Sequence, residues 1–158
     1  MNETFDIEQR KEKAVLLFKE GYNCAQSVFL TYSDLFGIED ELAKKLSSSF
    51  GGGMGRMREV CGAASGMFML LGLHYPATDP TDKESKTANY AAVQCTAGEF
   101  KARFGSIICR DLLDENRPPD SPVPSDRNAE YYAKRPCARF VAEAAEIVGR
   151  ELMLKKQP

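Results

Sequence analysis

Apolar residues recur at three- and four-residue intervals along nearly the whole chain, and no stretch alternates apolar and polar side chains as a strand would. This periodicity commits the sequence to amphipathic helices that bury their apolar faces against one another. At 158 residues the chain is the size of one domain. The expected fold is therefore an all-α, single-domain helical bundle of about six helices over residues 1–158.

The elements follow from caps and breakers. Asp6, with Gln9 three residues on, starts a helix whose stripe is Ala14, Leu17 and Phe18 and whose stop is Gly21. Asn23 caps a second helix, with Ala25, Val28, Phe29, Tyr32, Leu35 and Phe36 at helical spacing before Gly37. Ile38, Leu42, Leu46 and Phe50 form a third stripe. The run from Ser47 to Gly55 reads as a loop, because each glycine costs a helix roughly 1 kcal/mol relative to alanine. Helix is expected again from Arg56 to about His74, with Gly62 and Gly66 on one face leaving a flat strip where another backbone can approach. Asp79 or Thr81 caps a long helix to about Phe104, with Ala88, Ala91, Ala92, Cys95 and Phe100 inside, and residues 107–113 make two or three further turns. Residues 114–128 hold four prolines and read as an exposed Pro-rich loop. A last helix from Pro136 carries Cys137, Val141, Ala144, Val148 and Leu152 on one face.

Composition removes several function classes. With 21 basic and 23 acidic side chains the formal charge is −2, so there is no polybasic footprint for nucleic acid or an anionic membrane. The longest apolar run, Gly66 to Leu73, is less than half a membrane span, so no membrane insertion is expected. The N-terminal residues alternate charge and do not resemble a secretory leader, which places the chain in the cytoplasm by expectation. The single histidine, His74, leaves few zinc-hydrolase or Ser-His-Asp schemes open, and at a helix end it is expected to cap or face solvent. The stretch Gly51-Gly52-Gly53-Met54-Gly55-Arg56 lacks the phosphate-loop spacing and follows a helix, which argues against nucleotide binding. Arg56 and Arg58 read as solvated helix-start residues, or as donors to an anion near Cys61.

The chemistry-bearing residues are the five cysteines, an odd number in a chain large enough to fold without staples. None lies in a Cys-x-x-Cys pair, which disfavours zinc ribbons, thioredoxin-type motifs and ferredoxin loops. Cys24 follows the N-cap Asn23, Cys137 follows Pro136, and Cys109 opens its short helix near Ser106 and Arg110. A first-turn position is expected to lower a thiol pKa from about 8.5 toward neutrality. Cys61 comes shortly after the glycine loop, whose backbone N–H groups are expected to form an anion-binding nest around it. Cys95 lies mid-helix among alanines and reads as packing.

Cys24, the CGAxxG run Cys61-Gly62-Ala63-Ala64-Ser65-Gly66, Cys109 and Cys137 together resemble the redox-active family named C_GCAxxG_C_C. Gly21 to Ser27 and Phe50 to Gly55 supply the matching context, and the likeness covers roughly residues 10 to 150. The resemblance implies redox or cluster chemistry at Cys24, Cys61, Cys109 and Cys137, and similar segments occur joined to electron-transfer domains. Two mechanisms fit that set. Thiol pairs cycle between dithiol and disulfide, or four thiolates hold an iron–sulfur cluster or another metal, with Gly52, Gly53, Gly55, Gly62 and Gly66 shaping the cofactor site. A third reading is a non-catalytic interaction module whose glycine face docks a partner helix. The partner expected for the redox readings is an electron or thiol donor, and a homodimer is allowed.

Overall fold

A computed structural model describes residues 4–113 and 121–154. Eight right-handed α-helices and no named strand occur among the described residues: α1 Ile7–Lys19, α2 Cys24–Tyr32, α3 Asp40–Ser47, α4 Gly62–His74, α5 Lys83–Phe104, α6 Cys109–Leu112, α7 Ala129–Lys134 and α8 Cys137–Met153. Six of these are seven residues or longer, so the expected all-α bundle of about six helices holds.

The caps act as their sequence predicts. Asp6 accepts from the N–H groups of Glu8 and Gln9. Asn23 and Gln26 exchange bonds in a capping box, at 2.9 and 3.1 Å, and fix where α2 begins. The core is centred on α4, apolar on nearly every side, with Ala63, Ala64, Met67, Leu70 and Leu71 fully buried. It is enclosed by α2, α5 and α8, while α1 lies along α8. Buried side chains such as Phe18, Phe100 and Ile147 contribute about 1.5–3 kcal/mol each. Tyr32, also fully buried, donates its hydroxyl to the Ala145 carbonyl at 2.8 Å, seated on the bare backbone of Gly149.

Gly62 and Gly66 provide the close approach expected of them. A Cβ at Gly66 would stand 2.9 Å from the Ala25 carbonyl oxygen, and one at Gly62 would stand 3.0 Å from the Cys24 Cβ. The N-terminal end of α2 is thereby pressed against the start of α4.

Several boundaries differ from the pattern. α2 stops at Tyr32 and finishes as a 3-10 turn, Ser33–Phe36, before the left-handed Gly37. In α3 the stripe turns outward: Leu42 and Leu46 are each 47% exposed, while Ala43 and Ser47 face inward. Small residues win that face because α3 lies close to α2, with Gln26 donating to the Lys44 carbonyl and Asn23 to the Ser48 carbonyl. The long helix starts at Lys83 on the cap Asp82, because Asp79 is used in the preceding turn by Thr81. Its inner face is Ala92, Thr96 and Phe100; Cys95, read as packing, is exposed, as are Ala88 and Ala91. Residues 107–113 hold a single helical turn, and α7 is an element the periodicity did not announce. Of the Pro-rich segment, 121–124 are exposed and 114–120 lie outside the described residues.

The largest departure is at residues 51–61. The expected helix from Arg56 begins only at Gly62. Before it, Gly52, Gly53, Met54, Gly55 and Arg56 all have φ between +62° and +72°, one turn of left-handed helix. L-residues resist that conformation by roughly 1–2 kcal/mol each, which is why three of the five are glycine. Arg58 is left-handed as well, and residues 59–61 then run extended, with Val60 bridged antiparallel to Ile108.

Candidate functional site

All four of the family-pattern cysteines stand at helix starts. Cys24, Cys109 and Cys137 are the first residues of α2, α6 and α8, and Cys61 is the N-cap residue of α4. Backbone bonds hold two of them in register: the Cys61 N–H donates to the Ile107 carbonyl at 2.7 Å and the Cys109 N–H to the Glu59 carbonyl at 2.6 Å. The left-handed turn brings Gly53 against Cys109, where a Cβ would meet the Cys109 Cβ at 2.6 Å. The four thiols line one cavity of about 50 Å³, together with Gly52, Gly53, Gly62, Tyr131 and three arginines, Arg58, Arg127 and Arg135.

The thiols differ in proton affinity. Cys24 and Cys137 line the cavity together and influence each other's ionisation. The neighbouring Cys137 sulfur, and then burial, raise the Cys24 pKa well above its ordinary value. The Cys24 thiol favours the Cys137 thiolate and lowers its pKa, against burial and with help from Arg135, Arg127 and Arg58. Helix-start position was expected to acidify both; it does not do so for Cys24, because two interacting thiols can give up only one proton easily. Burial pushes Cys61 up to about 12, partly offset by the Ala64 and Ala63 N–H groups at the start of α4. Burial also raises Cys109, opposed by the Arg58 guanidinium, whose Nη1 is 3.8 Å from the Cys109 sulfur.

Charge around the cavity is one-sided. Arg127 donates to the carbonyls of Phe18 and Tyr22 at 3.0 and 3.2 Å and stacks on the Phe18 and Tyr131 rings. Arg135 also stacks on Tyr131, 5.2 Å from the ring centroid. Among the described residues no aspartate or glutamate lines the cavity.

Three sequence expectations change here. Arg58 is 2% exposed, so it is no solvated helix-start residue, and Arg56 turns to the Ser121 carbonyl and Ser125 hydroxyl. The glycine loop makes no nest for Cys61: the N–H groups of Arg56, Met57, Arg58 and Glu59 bond carbonyls within the loop itself. His74 is 7% exposed, with Nε2 3.2 Å from the Leu154 carbonyl oxygen, so it is buried and far from solvent exposure. Of the glycines assigned to a cofactor, Gly52, Gly53 and Gly62 line the cavity; Gly55 and Gly66 do not. Arg127, Arg135 and Tyr131 were missed. Arg135, two residues before a helix-start cysteine, was legible as a charge beside a thiol, whereas Arg127 was hidden in a segment read as loop.

A metal-centred reading requires at least three ligands converging on one point. Among the described residues no group of three His, Cys, Asp or Glu side chains is placed to hold a metal ion. The thiols surround the cavity without forming such a set, so this arrangement does not fit a Cys₄ cluster or zinc site.

An all-α bundle whose helix starts deliver four thiols to one arginine-walled cavity defines a class of cysteine-centred helical proteins. Residues 22–151 match the family described as "Putative redox-active protein (C_GCAxxG_C_C)", and the chain belongs to that family. No curated protein and no solved structure matches it. No helix among the described residues is long and apolar enough to cross a membrane.

Proposed function

We propose that the protein carries out thiol–disulfide exchange, with Cys137 as the attacking thiolate and Cys24 as the resolving thiol. The observation that carries this reading is that Cys24 and Cys137, the first residues of α2 and α8, line the same small cavity together with Arg58, Arg127 and Arg135. A disulfide between them requires their sulfurs to close to about 2.05 Å. In the exchange, the Cys137 thiolate attacks one sulfur of a substrate disulfide, forming a mixed disulfide and releasing the other sulfur as thiolate, which takes up the Cys24 proton. Cys24 then attacks the Cys137 sulfur, leaving a Cys24–Cys137 disulfide and the second substrate thiol. The substrate gains two electrons and the cysteine pair loses them. A dithiol donor resets the site.

The test uses the Cys95→Ser background, which removes the exposed thiol outside the cavity. After reaction with oxidised glutathione, peptide mapping is expected to find a Cys24–Cys137 disulfide. Cys24→Ser is expected to accumulate glutathione on Cys137, and Cys137→Ser to lose the fast reaction by at least about tenfold. Unchanged kinetics in Cys137→Ser would sink the assignment, as would iron with acid-labile sulfide in anaerobically purified protein.

A further inference from the structure

The wall beside the reactive pair suggests what the substrate carries. Tyr131 packs against two guanidiniums, with Arg127 at 4.8 Å and Arg135 at 5.2 Å from its ring centroid. Both arginines, Tyr131 and Cys24 are half-buried, so solvent reaches this wall of the cavity. Neither arginine pairs with a carboxylate among the described residues: Arg127 bonds only main-chain carbonyls, and Arg135 only stacks. Two positive charges unpaired with any carboxylate of the described residues, above a cavity that no described acid lines, set a potential that favours anions. The cavity's 50 Å³ is room for only a few water-sized groups, too little for a peptide loop.

We infer that the site accepts small anionic sulfur compounds, in which an S–S bond stands next to a sulfonate, carboxylate or sulfite group held by Arg127 and Arg135. This rests on the exchange reading above and specifies its substrate class. The chemistry is shared by inorganic thiosulfate and by anionic organic disulfides or thiosulfonates. With a thiosulfonate, the Cys137 thiolate bonds the sulfenyl sulfur and a sulfinate leaves with the electron pair. With thiosulfate, Cys137 takes the outer sulfur as a persulfide and sulfite leaves; Cys24 then attacks Cys137, releases hydrosulfide and completes the disulfide. A dithiol supplies the two electrons for the next cycle.

The experiment compares three methanethiosulfonates on Cys95→Ser protein: the anionic sulfonatoethyl, neutral methyl and cationic trimethylammonioethyl reagents. Rates of modification at Cys137 are normalised to those of a free thiol such as cysteine. The anionic reagent is expected to outpace the cationic one by at least about tenfold, with the neutral one between. Arg135→Gln is expected to reduce that ratio severalfold and Arg135→Lys to keep it, which separates charge from folding. Equal rates, or a faster cation, would overturn the inference while leaving exchange intact. If the neutral reagent labels Cys137 but no Cys24–Cys137 disulfide follows, the exchange reading fails, and the charge ratio still decides whether the wall selects anions. Thiosulfate with dithiothreitol forms the inorganic arm: hydrosulfide release that depends on Cys137 assigns the inorganic source, and sulfinate and thiol release from the organic reagents without Cys137-dependent hydrosulfide from thiosulfate assigns the other.

Discussion

Cys61 and Cys137 face the same cavity with opposite proton affinities, and burial against charge explains the difference. Cys61 is 4% exposed with only helix-start N–H groups to favour its anion, whereas Cys137 has the neighbouring Cys24 thiol and arginines. The Cys61 pKa is raised from 9.0 to about 12, so the folded state favours the neutral thiol. Its contribution to stability is therefore full below the unfolded value and is lost as pH rises from there toward 12. Urea denaturation at pH 8 and pH 10.5 is expected to show wild type losing on the order of 2 kcal/mol more than Cys61→Ala over that interval. Equal losses would show that the Cys61 thiol ionises in the fold as freely as in the unfolded chain. At this scale the sequence carried helix-start positions well but not their consequences, because desolvation depends on what covers a sulfur, and local pattern contains no such information. Cys95 makes the same point in reverse: alanine neighbours suggested burial, yet its face of α5 is open.

The helices were legible wherever caps and periodicity agreed, as at Asp6, Asn23 and Pro136. They were misread wherever tertiary contact chose the inner face, as in α3, where Ala43 and Ser47 displaced Leu42 and Leu46. The left-handed turn at 52–56 was beyond reach because Met54 and Arg56 adopt φ values that single residues rarely take. Glycines in α4 provide a matched test of what an element contributes. Gly66 meets the α2 backbone, whereas Gly72 has nothing within 4 Å of an added Cβ. Gly66→Ala is expected to cost about 1–3 kcal/mol by forcing α2 away. Gly72→Ala, in an exposed helical position, is expected to add about 0.5–1 kcal/mol. Denaturation midpoints of the two variants check the pair, and a neutral Gly66→Ala would mean that α2 and α4 do not need their close approach. Because that contact sets Cys24 over the start of α4, Gly66→Ala is also expected to slow disulfide formation, which Gly72→Ala leaves unchanged.

Across the whole molecule the site exists only through the fold, since each thiol arrives on a different helix and the proposed pair joins positions 24 and 137. Closing a loop of about 100 residues removes chain entropy from the unfolded state worth roughly 4.7 kcal/mol. That stabilisation is reciprocal: by thermodynamic linkage, whatever the disulfide adds to the fold, the fold adds to the tendency of the pair to oxidise. A Cys61–Cys109 link would close a loop about half as long and add about 0.6 kcal/mol less by the same entropy. Thermal unfolding of oxidised and reduced Cys95→Ser protein is therefore expected to differ by about 10–20 °C, given roughly 2–4 °C per kcal/mol for a domain of this size. Cys24→Ser is expected to abolish the difference, and urea is expected to make the disulfide easier to reduce across the same concentrations at which the helices melt. Oxidised and reduced melting curves that coincide would mean that the pair does not bridge the fold, and the chain would then have to use its clustered thiols without coupling them to its stability.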